Sequence, residues 1–262
     1  YPEEFFIEKI HSIRRPRPDD FQIKEAAEKI KNSKNPIIIS GGGVFYSNAM
    51  EELSNFAIKH NIPVTQTVMG YSTMKRDHSH YAGQIGGLGG KNTNDLAKET
   101  DLAIAVGTKL ADFTTGSWAN FENENFKLLS INVSRFDANK HLAQAVVGDA
   151  KVSLIELSKA LGDWKVGDEW NQKSQRELKI WNEHIDKESA PTNQEIPSYI
   201  QVIGAIYRNS DPTDIAVTAA GGLVGEVVQV WRPKELNTHE SEWGFSCMSY
   251  EISGALGIKM AN

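Results

Sequence analysis

The chain has 262 residues, of which 40 % are apolar and 24 % are charged, the proportions of an ordinary globular protein. Its 28 basic and 34 acidic side chains give a net charge of -6, which excludes the electrostatic footprint of a nucleic-acid-binding or anionic-membrane-binding protein. The single cysteine, Cys247, excludes an internal disulfide framework and favours a reducing compartment. No apolar run approaches the roughly 20 residues of a membrane helix, and the first residues do not resemble a secretory signal. We therefore expect a cytoplasmic protein.

The first 20 residues have the composition of a linker. Pro16 and Pro18 lie among charged residues and oppose helix formation there. The basic cluster at 14–17 (Arg-Arg-Pro-Arg) is interrupted by proline, and we interpret it as solvated. Because the chain begins with Tyr1 rather than Met, we expect it to start within a longer protein.

Residues 21–162 alternate between helical and strand patterns. Ile23, Ala26 and Ile30 have helical spacing, and the short β-branched run at 36–40 is typical of a strand that is buried on both faces. Further strands are predicted at 64–68, 102–106, 126–133 and 146–147, and further helices at 50–57, 94–100 and 152–161. This alternation predicts βαβ units in a doubly wound parallel sheet of about five or six strands, a Rossmann-like fold.

Residues 163–196 have no strand pattern and contain Trp164, Trp170 and Trp181 among many charges. We expect a long connecting helix that runs over the surface of a neighbouring domain. A second α/β pattern begins at Pro197, with helices predicted at 199–207, 223–231 and 248–260 and a strand at 214–218. A single strand does not make a sheet, so residues 197–262 are expected to form an incomplete second α/β domain.

Two glycine-rich stretches have both a structural and a ligand-binding interpretation. Gly41-Gly42-Gly43 lies between a strand and a helix, the position of a nucleotide-binding turn, but Tyr46 stands where the Gly-x-Gly-x-x-Gly pattern requires glycine. No acidic residue ends the following strand to hold a ribose, which favours a tight structural turn. The stretch 83–90 has five glycines in eight residues, and either ligand contact or tight packing explains it.

Metal-binding and nucleophilic patterns are weak. His78 and His80 are two residues apart in a polar segment with no further histidine or cysteine nearby, so solvent exposure is expected for both rather than a metal site. Cys247 has no histidine at helical spacing, and a nucleophilic role is not predicted.

The segment 242–259 (Glu-Trp-Gly-Phe-Ser-Cys-Met-Ser-Tyr-Glu-Ile-Ser-Gly-Ala-Leu-Gly-Ile-Lys) resembles a known family motif. It is similar to the Gly-x-Gly-x-Met-Gly-x-Gly-x-x-x-Ala-x-Gly-Ala stretch that opens the cofactor domain of acetolactate-synthase-like thiamine diphosphate enzymes. Phe-Ser-Cys-Met followed by Tyr-Glu-Ile looks most like the branch that hydrolyses a cyclic 1,2-dione in myo-inositol catabolism. The runs at 14–18, 132–138 and 219–223 resemble the same branch, while Ser249 stands where the family has glycine.

The resemblance implies a full-length enzyme that uses thiamine diphosphate and Mg²⁺ to cleave a carbon–carbon bond of a cyclic dione. Such an enzyme is expected to be a homodimer or homotetramer. The chain would provide the central Rossmann-like domain (21–162) and the beginning of the cofactor domain (197–262). The residues that the resemblance places at the cofactor are Gly221, Gly222, Leu223, Ser246, Cys247 and Met248.

The resemblance also implies which functional groups lie elsewhere. The family's cofactor-activating glutamate and its magnesium-binding segment have no counterpart in these 262 residues, so no catalytic residue and no metal ligand is expected here. We therefore predict that the chain alone is inactive. Three alternatives remain open: an acetolactate-synthase-like lyase or transferase, a module that binds FAD or NAD through residues 20–162, and a fragment that serves only in packing.

Overall fold

The structure is a computed structural model that describes residues 1–9, 12–219 and 221–261. Its main sheet has six parallel strands in the order β3-β2-β1-β4-β5-β6, the order of a doubly wound Rossmann-like sheet. The strands are β1 (Pro36–Ser40), β2 (Val64–Gln66), β3 (Tyr81–Gln84), β4 (Leu102–Val106), β5 (Lys127–Asn132) and β6 (Gln144–Val147). The predicted fold class and the predicted number of strands are confirmed.

Helices connect these strands and cover the sheet. They are α1 (Asp20–Lys31), α2 (Gly42–Tyr46), α3 (Met50–His60), α4 (Lys91–Glu99), α5 (Asp112–Thr115), α6 (Arg135–Ala138) and α7 (Ala150–Leu161). Short 3-10 helices lie at Glu3–Phe6, Val68–Gly70 and Lys140–Leu142. Helices α1, α3 and α7 pack together, and the centre of the sheet beneath them is fully buried at Ile37, Ile38 and Ile39. These β-branched side chains form the core because a strand that is covered on both faces has no polar side.

The basic cluster near the N-terminus is attached to this core, so the solvated interpretation is wrong for Arg15. The Arg15 guanidinium lies 3.1 Å from the Asp149 carboxylate and also donates to the Ser47 carbonyl. Asp149 in turn caps α7 by accepting from the amides of Lys151 and Val152. Arg17 forms a more exposed ion pair with Glu156 at 3.4 Å. The proline-containing segment therefore follows a defined path over the start of α7.

The tryptophan-rich segment forms the long helix α8 (Asp168–Glu188). Trp170 is buried and donates from its indole nitrogen to the Pro36 carbonyl over 2.8 Å, which joins the helix to the first residue of β1. The Gln175 amide donates to the Tyr81 carbonyl over 2.8 Å. Helix α8 therefore packs against α4 and β3 and covers that side of the sheet.

The last 65 residues form a smaller unit. It contains α9 (Tyr199–Asn209), β7 (Ala216–Thr218), α10 (Leu223–Val230), β8 (His239–Ser241) and α11 (Tyr250–Ala261). Strands β7 and β8 pair in parallel, with Ala216 opposite His239 and Thr218 opposite Ser241. Strands β3 and β8 were not predicted from the sequence. Among the described residues, no helix has both the length and the hydropathy needed to cross a lipid bilayer.

Candidate cofactor site

The two loops that the family resemblance placed at the cofactor leave the same edge of one small sheet. One loop follows β7 and the other follows β8, and the last residues of these strands, Thr218 and Ser241, are directly paired. Their hydroxyl oxygens are 3.1 Å apart, and the Glu242 amide extends the ladder by donating to the Thr218 carbonyl over 3.2 Å. The carboxyl edge of a parallel sheet is where α/β proteins bind their ligands. The fold therefore brings the two predicted loops together.

The loop after β7 exposes bare backbone at the beginning of α10. Gly221 has φ 110°, a conformation that favours glycine, and Gly222 directly precedes the helix. A Cβ atom at either glycine would meet no other atom within 4 Å. The free space, together with the helix N-terminus, fits an anionic group such as a diphosphate. Leu223 is 44 % exposed beside it, and Ala220 lies outside the described residues.

The loop after β8 contains two left-handed residues that are not glycine. Ser246 has φ 51° and Ser249 has φ 74°, and Ser249 is the residue that stands where the family motif has glycine. Between them, Cys247 is exposed and Met248 is 83 % exposed. The loop thus keeps the backbone conformation that glycine favours and presents the methionine side chain away from the core of this chain.

Glu242, to which sequence analysis assigned no role, organises this second loop. Its carboxylate accepts hydrogen bonds from the Phe245 amide at 2.8 Å and from the Cys247 amide at 2.6 Å, one on each oxygen. The bonds from the Cys247 amide and then from the Phe245 amide lower the pKa of Glu242. Only its position at the start of the family-like segment could have signalled this residue, because the contact depends on the left-handed turn at Ser246.

The base of the two loops is buried and uncharged. His239 is buried, lies 3.2 Å from the Thr218 hydroxyl through its Nε2 atom, and packs edge-on against the Tyr71 ring at 5.2 Å. Burial lowers the pKa of His239 to about 4, so this side chain is neutral near pH 7. Burial also raises the pKa of the Tyr71 hydroxyl.

Helix α10, which begins at the first loop, is attached at its C-terminal part by hydrogen bonds to α8 and to the connections that follow β2 and β3. The Tyr71 hydroxyl donates to the Val228 carbonyl over 2.8 Å, and the Gln229 amide donates to the Leu88 carbonyl over 2.6 Å. The Trp181 indole donates to the Gln229 side-chain oxygen over 3.1 Å. Leu88 belongs to the glycine-rich stretch 83–90, so the structure shows a packing role for that stretch.

A cavity of about 450 Å³ lies at the carboxyl ends of β1 and β4 and borders the second loop at Trp243 and Gly244. Gly42 and Gly43 line it, and Trp243 closes part of it against Phe113, with the two rings edge-on at 5.3 Å. The glycine turn itself is committed to the protein, since the Gly41 amide donates to the Val106 carbonyl and the Gly43 amide to the Gly107 carbonyl, both over 2.9 Å. These two amides are therefore not free to bind a pyrophosphate.

The two neighbouring histidines bind protein groups. His78 lies 2.8 Å from the Ser54 hydroxyl, and His80 lies 3.0 Å from the Asn61 side-chain oxygen. His80 is buried, so the expected solvent exposure is wrong for this residue, and burial lowers its pKa to about 4. Within residues 1–9, 12–219 and 221–261, no group of three or more histidine, cysteine, aspartate or glutamate side chains is arranged to hold a metal ion.

Comparison with known protein families identifies the domain that contains the six-stranded sheet. Residues 23–157 match the family model described as "Thiamine pyrophosphate enzyme, central domain". The chain therefore belongs to the thiamine pyrophosphate enzyme family, as the sequence resemblance predicted.

Curated relatives resemble the chain over its whole length. Proteins named 3D-(3,5/4)-trihydroxycyclohexane-1,2-dione hydrolase are 38 % identical in Clostridium tetani, 36 % in Geobacillus thermodenitrificans and 36 % in Bacillus licheniformis. Each alignment covers 100 % of this chain but only 44 % of the first two relatives and 45 % of the third. The chain thus spans less than half the length of these proteins, and the predicted resemblance to the dione hydrolases is confirmed.

Proposed function

We propose that this chain forms the central domain and the first part of the cofactor domain of a thiamine-diphosphate-dependent hydrolase. The substrate is a cyclic 1,2-dione of the trihydroxycyclohexane type, and the hydrolase cleaves one of its carbon–carbon bonds so that the ring opens to a deoxy sugar acid. The observation that carries this proposal is the parallel pairing of β7 with β8, because residues 221–223 follow the carboxyl end of β7 and residues 242–249 follow the carboxyl end of β8. The names of the relatives supply the substrate class.

The residues of this chain would bind and orient the cofactor. Gly221 and Gly222 leave open space beside the start of α10, where backbone amides can hold a diphosphate. Leu223 and Met248 present exposed apolar side chains from the two loops. Met248 would press against the bound cofactor and hold it bent, since an unbranched polarizable side chain fits an irregular surface. Ser246 and Cys247 would position that methionine.

When bound, thiamine diphosphate supplies a nucleophilic carbon and an electron sink for cleavage next to a ketone. The proposal places the activating glutamate and the Mg²⁺ ligands in parts of the full-length protein other than this chain. It also includes a homodimeric or homotetrameric assembly and a cytoplasmic location, the latter supported by the single exposed thiol of Cys247.

The direct test is turnover by the full-length protein with thiamine diphosphate, Mg²⁺ and trihydroxycyclohexane-1,2-dione. We expect ring-opened acid as the product, and no turnover of pyruvate, which would instead indicate an acetolactate-synthase-like reaction. The matched variant is Gly222→Leu, because its φ of -69° accepts a side chain and the space around it is open. This variant should fold normally and bind the cofactor more weakly. Absence of dione turnover by the wild-type protein would refute the proposal.

The cavity at the carboxyl ends of β1 and β4 gives the nucleotide-binding alternative its only structural support among the described residues. An absorbance spectrum of the purified full-length protein separates the two functions. A bound oxidised flavin would absorb blue light and colour the protein yellow, whereas the proposed hydrolase is expected to carry none. If a flavin co-purified at one equivalent per chain, the central unit would have a nucleotide-binding role as well.

A further inference from the structure

The loop that carries Met248 has a conformation that needs an external restraint. Ser246 and Ser249 both have left-handed backbone angles, which are unfavourable for a residue with a side chain because its Cβ atom approaches the following carbonyl oxygen. The surrounding side chains do little to hold the loop, because Phe245 is 91 % exposed and Met248 is 83 % exposed. Such a conformation persists only where other contacts determine it.

Glu242 supplies those contacts. Its two carboxylate oxygens accept separately from the amides on either side of Ser246, at 2.8 Å from Phe245 and 2.6 Å from Cys247. Hydrogen bonds to an ionised acceptor are roughly twice as strong as those between neutral groups. The two bonds therefore close the turn around the left-handed residue and fix the direction in which the chain reaches Met248.

The backbone of Glu242 joins this turn to the other loop. Its amide donates to the carbonyl of Thr218 over 3.2 Å, at the point where β7 leads into residues 219–223. The next residue, Trp243, packs edge-on against Phe113 of the large sheet's α5 helix. Glu242 is thus attached through its backbone to the base of the first loop and through its side chain to the second.

We propose that Glu242 is a positioning residue, which fixes the 243–248 loop so that Met248 faces the cofactor held at Gly221 and Gly222. This inference rests on the proposed function, because it assumes that the two loops share one cofactor. The carboxylate acts through the loop backbone and has no contact with the reacting atoms in this role. Its contribution is the order of the loop before the cofactor binds.

The test compares Glu242→Ala and Glu242→Gln with the wild type in the full-length protein. Glu195, an exposed carboxylate between α8 and α9, provides the control variant Glu195→Gln. Hydrogen exchange of the 245 and 247 amides is measured without cofactor, and the thiamine diphosphate Kd is measured by calorimetry with Mg²⁺ present. In Glu242→Ala we expect hydrogen exchange of both amides to be at least about tenfold faster. The Kd for thiamine diphosphate should be roughly tenfold higher.

The conservative variant separates positioning from general destabilisation. Glu242→Gln keeps one acceptor oxygen, so it should recover part of the amide protection and part of the cofactor affinity, while the urea unfolding midpoint stays unchanged in all variants. Unchanged exchange in Glu242→Ala would overturn the inference, as would faster exchange with an unchanged Kd. If the wild-type protein itself did not bind thiamine diphosphate, the proposed function and this inference would fail together. Normal wild-type binding that is unaffected in Glu242→Ala would overturn the inference alone.

Discussion

Replacing Met248 with alanine in the full-length protein is expected to lower kcat much more than it lowers the free energy of unfolding. Two interpretations of this residue compete: the proposed wedge that holds the cofactor bent, and the first core residue of the following helix. In the structure Met248 is 83 % exposed, and no residue of α11 is buried. The core interpretation therefore has no support within this chain.

The exposure of Met248 determines how large the expected changes in unfolding free energy and in kcat are. Substitution of an exposed side chain usually changes the free energy of unfolding by no more than about 0.5 kcal/mol, whereas a buried Met→Ala change costs about 2–5 kcal/mol. Loss of the wedge misplaces reacting atoms, and a displacement of ~1 Å can cost about a hundredfold in rate. A hundredfold corresponds to about 2.7 kcal/mol in the activation free energy, several times the expected change in stability.

The assay measures kcat at saturating thiamine diphosphate and dione, together with urea unfolding, for Met248→Ala and Met248→Leu. Leucine keeps most of the apolar bulk, so Met248→Leu should retain most of the activity while Met248→Ala does not. Retention of kcat within about twofold of the wild type in Met248→Ala would refute the wedge role of this side chain. A loss of 2 kcal/mol or more in stability for the same variant would instead show that another segment or subunit buries the side chain.

Four further outcomes are expected. Gly43→Ala places a Cβ 2.6 Å from the Gly107 Cα atom and should destabilise the fold by about 1–3 kcal/mol in urea unfolding, whereas Gly257→Ala, in open space on α11, should not. Burial lowers the pKa of His239 from its ordinary value of 6.5 to about 4 in the folded protein. Between pH 4 and pH 6.5 this side chain is therefore protonated in the unfolded chain but neutral in the folded one. The wild type should therefore lose up to about 3 kcal/mol of stability from this residue as the pH falls from 6.5 to 4, and a pH series of unfolding should show a flatter slope for His239→Gln. NAD or FAD should not raise the melting temperature by several degrees, because the Gly41 and Gly43 amides already have protein acceptors; saturable stabilisation would contradict this. In a monomeric sample of this chain, the amides of α11 should exchange faster than those of Ile37–Ile39, since none of its side chains is buried; equal protection would count against it.

The large sheet was predictable because its central strands are determined by composition. The runs at Ile37–Ile39 and Leu102–Val106 are short, apolar and fully buried, and a continuous apolar run of this length indicates a strand that is covered on both faces. Strand β3 was not predictable in this way. Its four residues include Gly83 and Gln84, and it is a strand because it pairs with β2 across an irregular register. That pairing depends on how the segment between the two strands folds, which the local residue pattern does not encode.

The candidate site was likewise predictable where a local residue pattern marks it and not predictable where it depends on contacts between segments. The two loops were found through their resemblance to a family motif, and the pairing of β7 with β8 then brings them to one edge. Strand β8 reads His-Glu-Ser, with no apolar alternation, so only its partner makes it a strand. The contact of Glu242 with two loop amides depends on the left-handed angle at Ser246. Serine does not favour that angle as glycine does, so this restraint was not predictable from the residue pattern.

The glycine-rich stretch 83–90 connects the large sheet to the candidate site. A Cβ atom on Gly90 would lie 2.7 Å from the Trp181 indole nitrogen, so the absence of a side chain lets α8 approach this stretch. Trp181 binds Gln229 on α10, and Gln229 binds the Leu88 carbonyl within the stretch. These three contacts connect α8, α10 and the glycine-rich stretch to one another. They hold α10 near the end of β3, and the N-terminus of α10 borders the first loop. Tyr71, which follows the 3-10 helix after β2, binds the same helix one residue away at Val228, so contacts with the larger unit as well as the pairing of β7 with β8 position the first loop.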